Sequence, residues 1–157
     1  MPGLTVLNTS APQVLISGDR DTGVELTLSY RFYGEYDPTI DYRSKPKQFG
    51  EIVFTSVIEY RFCWAEYEYD DFPEIQNLGT QRILERLKER LIKPGLDEIV
   101  GSPYIENMLS TNRFSHFADR MGGVITESDV KHYRISFDKY GRFDILALGV
   151  HTRQYEL

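Results

Sequence analysis

From Gly23 to Tyr36 the chain alternates, with Val24, Leu26, Leu28, Tyr30 and Phe32 on one side and Glu25, Thr27, Ser29 and Arg31 on the other. A period of two with one apolar side predicts a half-buried strand. Upstream, Gln13 to Ser17 is a shorter apolar run, and the Gly18-Asp19-Arg20-Asp21-Thr22-Gly23 segment between them has the Gly and Asp content of a turn. The two runs are therefore expected to form a hairpin. Asp37-Pro38 ends the second strand, because proline brings no ladder donor, and the polar stretch through Ser44-Lys45-Pro46-Lys47 reads as a loop. Alternation resumes at Gly50, with Ile52, Phe54, Ser56, Ile58, Tyr60, Phe62 and Trp64 on one side. A run of about twenty residues is long for a globular strand, so a bulge or bend is expected inside it.

Between Thr80 and Lys93 the period changes: Ile83, Leu84, Leu87 and Leu91 recur at helical spacing, and Pro94-Gly95 supplies the stop. A second, short helix is predicted from Ser102, where a serine followed by Pro103 makes a cap and first-turn pair and Ile105, Met108 and Leu109 continue the stripe. The segment holding Arg113, Phe114, His116, Phe117, Asp119, Arg120 and Met121 leaves helix and loop open, with Gly122-Gly123 as a breaker. Period two then returns. If Lys139-Tyr140-Gly141 is a three-residue hairpin loop with Gly141 left-handed, Asp138 faces Arg142, and Tyr133, Ile135 and Phe137 face Ala147, Ile145 and Phe143. Every apolar residue then shares one face.

Three strands, two helices and two strands in that order predict an α+β fold, an antiparallel sheet of about five strands with two or three helices packed on one face. A chain of 157 residues suits one domain over its whole length, with residues 1–12 as a flexible arm.

Composition narrows the partners. The formal net charge of −6 sets a repulsive field against phosphate backbones, which argues against nucleic acid. The one cysteine, Cys63, has no disulfide partner within the chain and points to a reducing, cytoplasmic setting, and no apolar run approaches a membrane span. Aromatic residues make up 13% of the chain and 11 of them are tyrosines, whose apolar body and polar tip suit contact surfaces as well as half-buried sheet faces.

No residue set carries a recognisable catalytic signature. His116, His132 and His151 lack the spacing of a zinc site, which needs three or four converging ligands, and Cys63 between Phe62 and Trp64 reads as a small buried hydrophobe. Arg82, Arg86 and Arg90 form a helical column, but Glu85 and Glu89 interleave with them. No nucleotide, dinucleotide or hydrolase fingerprint occurs, so no cofactor is implied. The sharpest local feature is Glu66-Tyr67-Glu68-Tyr69-Asp70-Asp71. Strand alternation there places Glu66, Glu68 and Asp70 on one side and Tyr67 and Tyr69 on the other. Same-side carboxylates roughly 7 Å apart invite a glycosidase reading, yet nothing supplies a cleft between them, so a solvated or partner-facing surface is the expectation.

Two functions follow. In the first, the chain is a protein-binding or self-associating module whose tyrosine-rich acidic surface, Glu66 to Asp71, meets a protein partner, basic or a second copy. A small, acidic, aromatic-rich chain without motifs is similar in type to stand-alone immunity and regulator proteins of bacteria. In the second, it is a ligand-binding protein or enzyme with a pocket between sheet and helices, where His116, His132 and an acidic residue should converge. The absence of a catalytic set favours recognition.

Overall fold

The computed structural model describes residues 9–19, 23–33, 37–63, 74–77, 95–137 and 140–157. Its elements run β1 (Gln13–Asp19), β2 (Gly23–Phe32), β3 (Gln48–Cys63), β4 (Glu74–Asn77), β5 (Gly95–Val100), α1 (Pro103–Leu109), α2 (Arg113–Arg120), a 3-10 turn at Glu127–Asp129, β6 (Lys131–Phe137) and β7 (Gly141–Glu156). The strands form one sheet in the order β1-β2-β3-β7-β6-β5-β4, and every neighbouring pair is antiparallel. The expected α+β fold is thereby corrected. Strand dominates the described residues, the sheet has seven strands rather than about five, and the helices there are two short ones. The helix expected at Thr80–Lys93 lies outside the described residues.

The strand β5 accounts for part of the difference. Gly-Leu-Asp-Glu-Ile-Val does not alternate, because both of its faces are buried: Leu96 joins one layer, while Asp97 and Ile99 lie in the other. A strand covered on both sides loses the period that would announce it.

One face of the sheet carries the larger core, with Leu26, Leu28, Tyr30 and Phe32 from β2, Ile52 and Phe54 from β3, Leu96 from β5, Tyr133, Ile135 and Phe137 from β6, and Phe143, Ile145 and Ala147 from β7. Tyr30 and Phe137 meet edge to face at 5.1 Å although two strands, β3 and β7, stand between theirs in the sheet. The sheet is therefore strongly curled, with this core on its concave side. On the opposite face, Met108 of α1 packs with Val130 and Leu146, joined by Ile58, Ile105, Leu109 and Phe114.

The curl has a local cause in the two 16-residue strands at the centre. Their pairing runs regularly from Gln48↔Glu156 to Thr55↔Gly149, then slips between Val57 and Glu59. Just before the slip, Ser56 has φ +51, an uncommon left-handed conformation for a residue with a side chain. Such a bulge bends a strand and increases its twist. It also moves side chains between faces: Ile52 and Phe54 point into the concave core, Val57 packs against that same core, and Ile58 goes to the helix side. The expected bulge is present, and Ile58 leaves the face that strict alternation gave it.

Candidate functional site

The convex face of β5, β6 and β7 carries polar residues that are not solvated. Asp97 of β5 pairs with Arg134 of β6, Arg134 with Asp144 of β7, and Asp144 with Arg61 of β3, a row of alternating charge across four strands. Asp97, Arg134 and Asp144 are buried. Arg134 donates from Nε to Asp144 Oδ1 at 2.8 Å and from Nη2 to Oδ2 at 3.3 Å. Arg142 Nε lies 3.8 Å from the same carboxylate. Burial alone pushes the Asp144 carboxyl up, but the hydrogen bonds from His132 and Arg134 outweigh it and hold the group below the usual carboxylate range.

This row explains a correction to the last hairpin. The observed register pairs Tyr133 with Ile145, Ile135 with Phe143 and Phe137 with Gly141, two residues away from the expected one. Both registers place the aromatic residues on one face. The polar face separates them, since the expected register sets Arg134 against Leu146, whereas the observed one sets it against Asp144. A buried guanidinium without its carboxylate is strongly destabilising, so the ion pair decides. Gly141 does adopt the left-handed conformation, at φ +79, but Arg142 now faces Ser136. Asp138 lies outside the described residues.

Beside the row lies a relay with the residue types of a hydrolase. Ser102 Oγ is 2.6 Å from His132 Nδ1, and His132 Nε2 is 2.7 Å from Asp144 Oδ1. Ser102 caps α1, accepting from the backbone N–H of Tyr104 and of Ile105. All four contacts are satisfied when the serine hydroxyl donates to Nδ1 and Nε2–H donates to Asp144. In a serine hydrolase the imidazole takes the proton while the serine oxygen attacks a carbonyl. Here the oxygen's lone pairs are engaged by two amides. Ser102 is only 3% exposed and His132 is 0% exposed. The Tyr104 ring stacks on His132 at 4.9 Å, and the Arg61 guanidinium lies 4.8 Å over that ring. What this arrangement does is fasten α1 to the sheet.

His116 is exposed on α2 and His151 is exposed on β7 opposite Val53, whereas His132 is enclosed. The convergence of His116 with His132 that a pocket would need is not formed. Among the described residues no group of three or more His, Cys, Asp or Glu side chains is placed to hold a metal ion. No described helix is long and apolar enough to cross a membrane. The run Glu66, Tyr67, Glu68, Tyr69, Asp70 and Asp71 lies outside the described residues, as does Trp64.

A second surface was not singled out by the sequence. Among the described residues, strand β1 ends the sheet and pairs only with β2. Val14, Leu15 and Ile16 are 44%, 62% and 49% exposed. Val14 and Ile16 stand opposite Leu28 and Leu26, so they extend the concave apolar face to the very edge, with Val24 beside them; Leu15, opposite Thr27, is on the convex side. From Gln13 to Gly18 there is no charged residue. Edge strands are commonly protected by lysine, proline or inward charge, and this stretch has none. The signal was present in the sequence as three consecutive apolar residues without alternation, where a solvated edge should alternate. No protein-family model, curated protein or solved structure matches the chain.

Proposed function

We propose that the chain is a recognition module, protein-binding or self-associating, that takes its partner on the outer edge of β1. One observation carries this reading: an edge strand that no described residue covers, uncharged from Gln13 to Gly18, with three exposed apolar side chains in succession. An added strand gains main-chain hydrogen bonds along such an edge, and alternate side chains supply specificity. The sealed state of the Ser102–His132–Asp144 relay supports recognition over catalysis. The single cysteine agrees with work in a reducing compartment.

Glu66, Tyr67, Glu68, Tyr69, Asp70 and Asp71 remain the competing contact surface, and salt separates the two. Strand addition at β1 is apolar and hydrogen-bonded, so it survives high ionic strength, while capture of a basic protein by carboxylates is screened. The test is affinity capture at low and high salt with the wild type and with Leu15→Lys/Ile16→Lys. Binding that resists salt and disappears in the double variant supports the edge. Binding that salt abolishes and the double variant retains moves the site to the acidic run.

A further inference from the structure

Resting on that reading of β1, we propose that the occupant of the edge is a second copy of this chain, joined by antiparallel pairing of β1 with β1 about a two-fold axis through Ile16. The strand is self-complementary in this register. Ile16 meets Ile16 of the second copy, Val14 meets Gly18, Leu15 meets Ser17 and Gln13 meets Asp19. Val14 and Leu15 fall opposite the small Gly18 and Ser17. No like charges face each other, which is the arrangement a cross-strand ladder requires.

The same register continues the core. Gly18 pairs with Val24 within the chain, so the second copy's Val14, lying across Gly18, completes a row with Val24 on the concave face. Ile16 stands beside Leu26 in the same way, and the two Ile16 side chains join the apolar faces of both sheets. On the convex side the second copy's Leu15 lies across Ser17, whose partner is Glu25. A two-fold contact of this kind closes on itself, unlike a head-to-tail pairing of β1 with β4, which propagates. At the other end of the sheet β4 offers four residues against the seven of β1.

Seven residues of strand span only about 23 Å, so the interface is smaller than those of permanent dimers, and the association is reversible. Two chains of charge −6 repel at long range, and added salt therefore tightens the dimer, the opposite of its effect on an acidic chain binding a basic protein.

Sedimentation velocity across a hundredfold concentration range tests this on the purified full chain. The expected result is a monomer–dimer equilibrium that shifts toward dimer with salt and is lost in Ile16→Lys. In a Cys63→Ser background, Ile16→Cys should then cross-link to itself under copper–phenanthroline oxidation. Gln13→Cys should not, because only Ile16 sits on the axis at a spacing a disulfide spans. A dimer indifferent to Ile16→Lys, or species that keep growing with concentration, overturns the two-fold pairing. A chain that stays monomeric while still capturing another protein through Leu15 and Ile16 overturns the second-copy assignment alone. A monomer with no edge-dependent capture removes both readings.

Discussion

Asp144 accepts hydrogen bonds from His132 and Arg134 and lies near Arg142 as well. Its native proton affinity is below that of the unfolded chain, so between the native value and the ordinary value of about 3.9 the unfolded state binds more protons. Stability then rises with pH through that window. The contribution is fully present above the usual carboxylate range and is lost as the pH falls through the native value. Urea midpoints measured against pH should show this acid-side slope, and Asp144→Asn should flatten it while costing about 3–5 kcal/mol at neutral pH. Ser102→Ala removes both a helix cap and the partner of His132, with an expected loss of about 1–2 kcal/mol by chemical denaturation. Wild-type Ser102 should stay unlabelled by a fluorophosphonate probe, and stoichiometric labelling would establish it as a nucleophile. Tyr30 is the opposite case: its buried hydroxyl has no hydrogen-bond partner among the described residues, and burial pushes its ionisation up. Tyr30→Phe should be neutral or stabilising by up to about 1 kcal/mol in the same assay. The cap at Ser102-Pro103 was legible because capping is local. Nothing local marks Arg134 and Asp144 as buried, since charges on the polar side of an alternating strand read as solvated.

Each element shows where alternation informs and where it misleads. The strand β2 is read directly: Leu26, Leu28, Tyr30 and Phe32 are all buried. The helix over Pro103–Leu109 and the breaker Gly122-Gly123, both left-handed, also stand where the pattern put them, with Arg113–Arg120 helical between them. The strand β5 was hidden because Asp97 and Leu96 are buried on opposite faces. Register in the β6–β7 hairpin was underdetermined by its apolar face and set by Arg134 and Asp144, a choice that needs tertiary burial to be seen. Gly50 belongs to the same class of hidden constraints. A Cβ there would lie 2.5 Å from the Tyr30 ring, which covers this position. Gly50→Ala should cost about 1–3 kcal/mol through displacement of that ring, read as a lowered denaturation midpoint. Reversal of much of that loss in the Gly50→Ala/Tyr30→Leu double variant would confirm the cause.

At the scale of the whole molecule, the sheet is built from contacts distant in sequence. Gln48 pairs with Glu156, and the β3–β7 ladder joins the β1-β2-β3 half to the β6-β5-β4 half. Loops of this length must close before the pairing rewards them, so refolding should be slow, on the order of milliseconds to seconds. Stopped-flow measurement of backbone circular dichroism after dilution from urea reads this rate, and a microsecond phase carrying the full amplitude would contradict it. The position of β7 also matters during biosynthesis. A ribosome releases the chain from its amino end, yet the strand that unites the two halves, Gly141–Glu156, is made after all the other described strands. Until those residues leave the exit tunnel, each half-sheet presents an extra raw edge to the surrounding proteome. Nascent chains of this protein therefore have a window of vulnerability that the finished one does not, and holding chaperones have their clearest task in that interval.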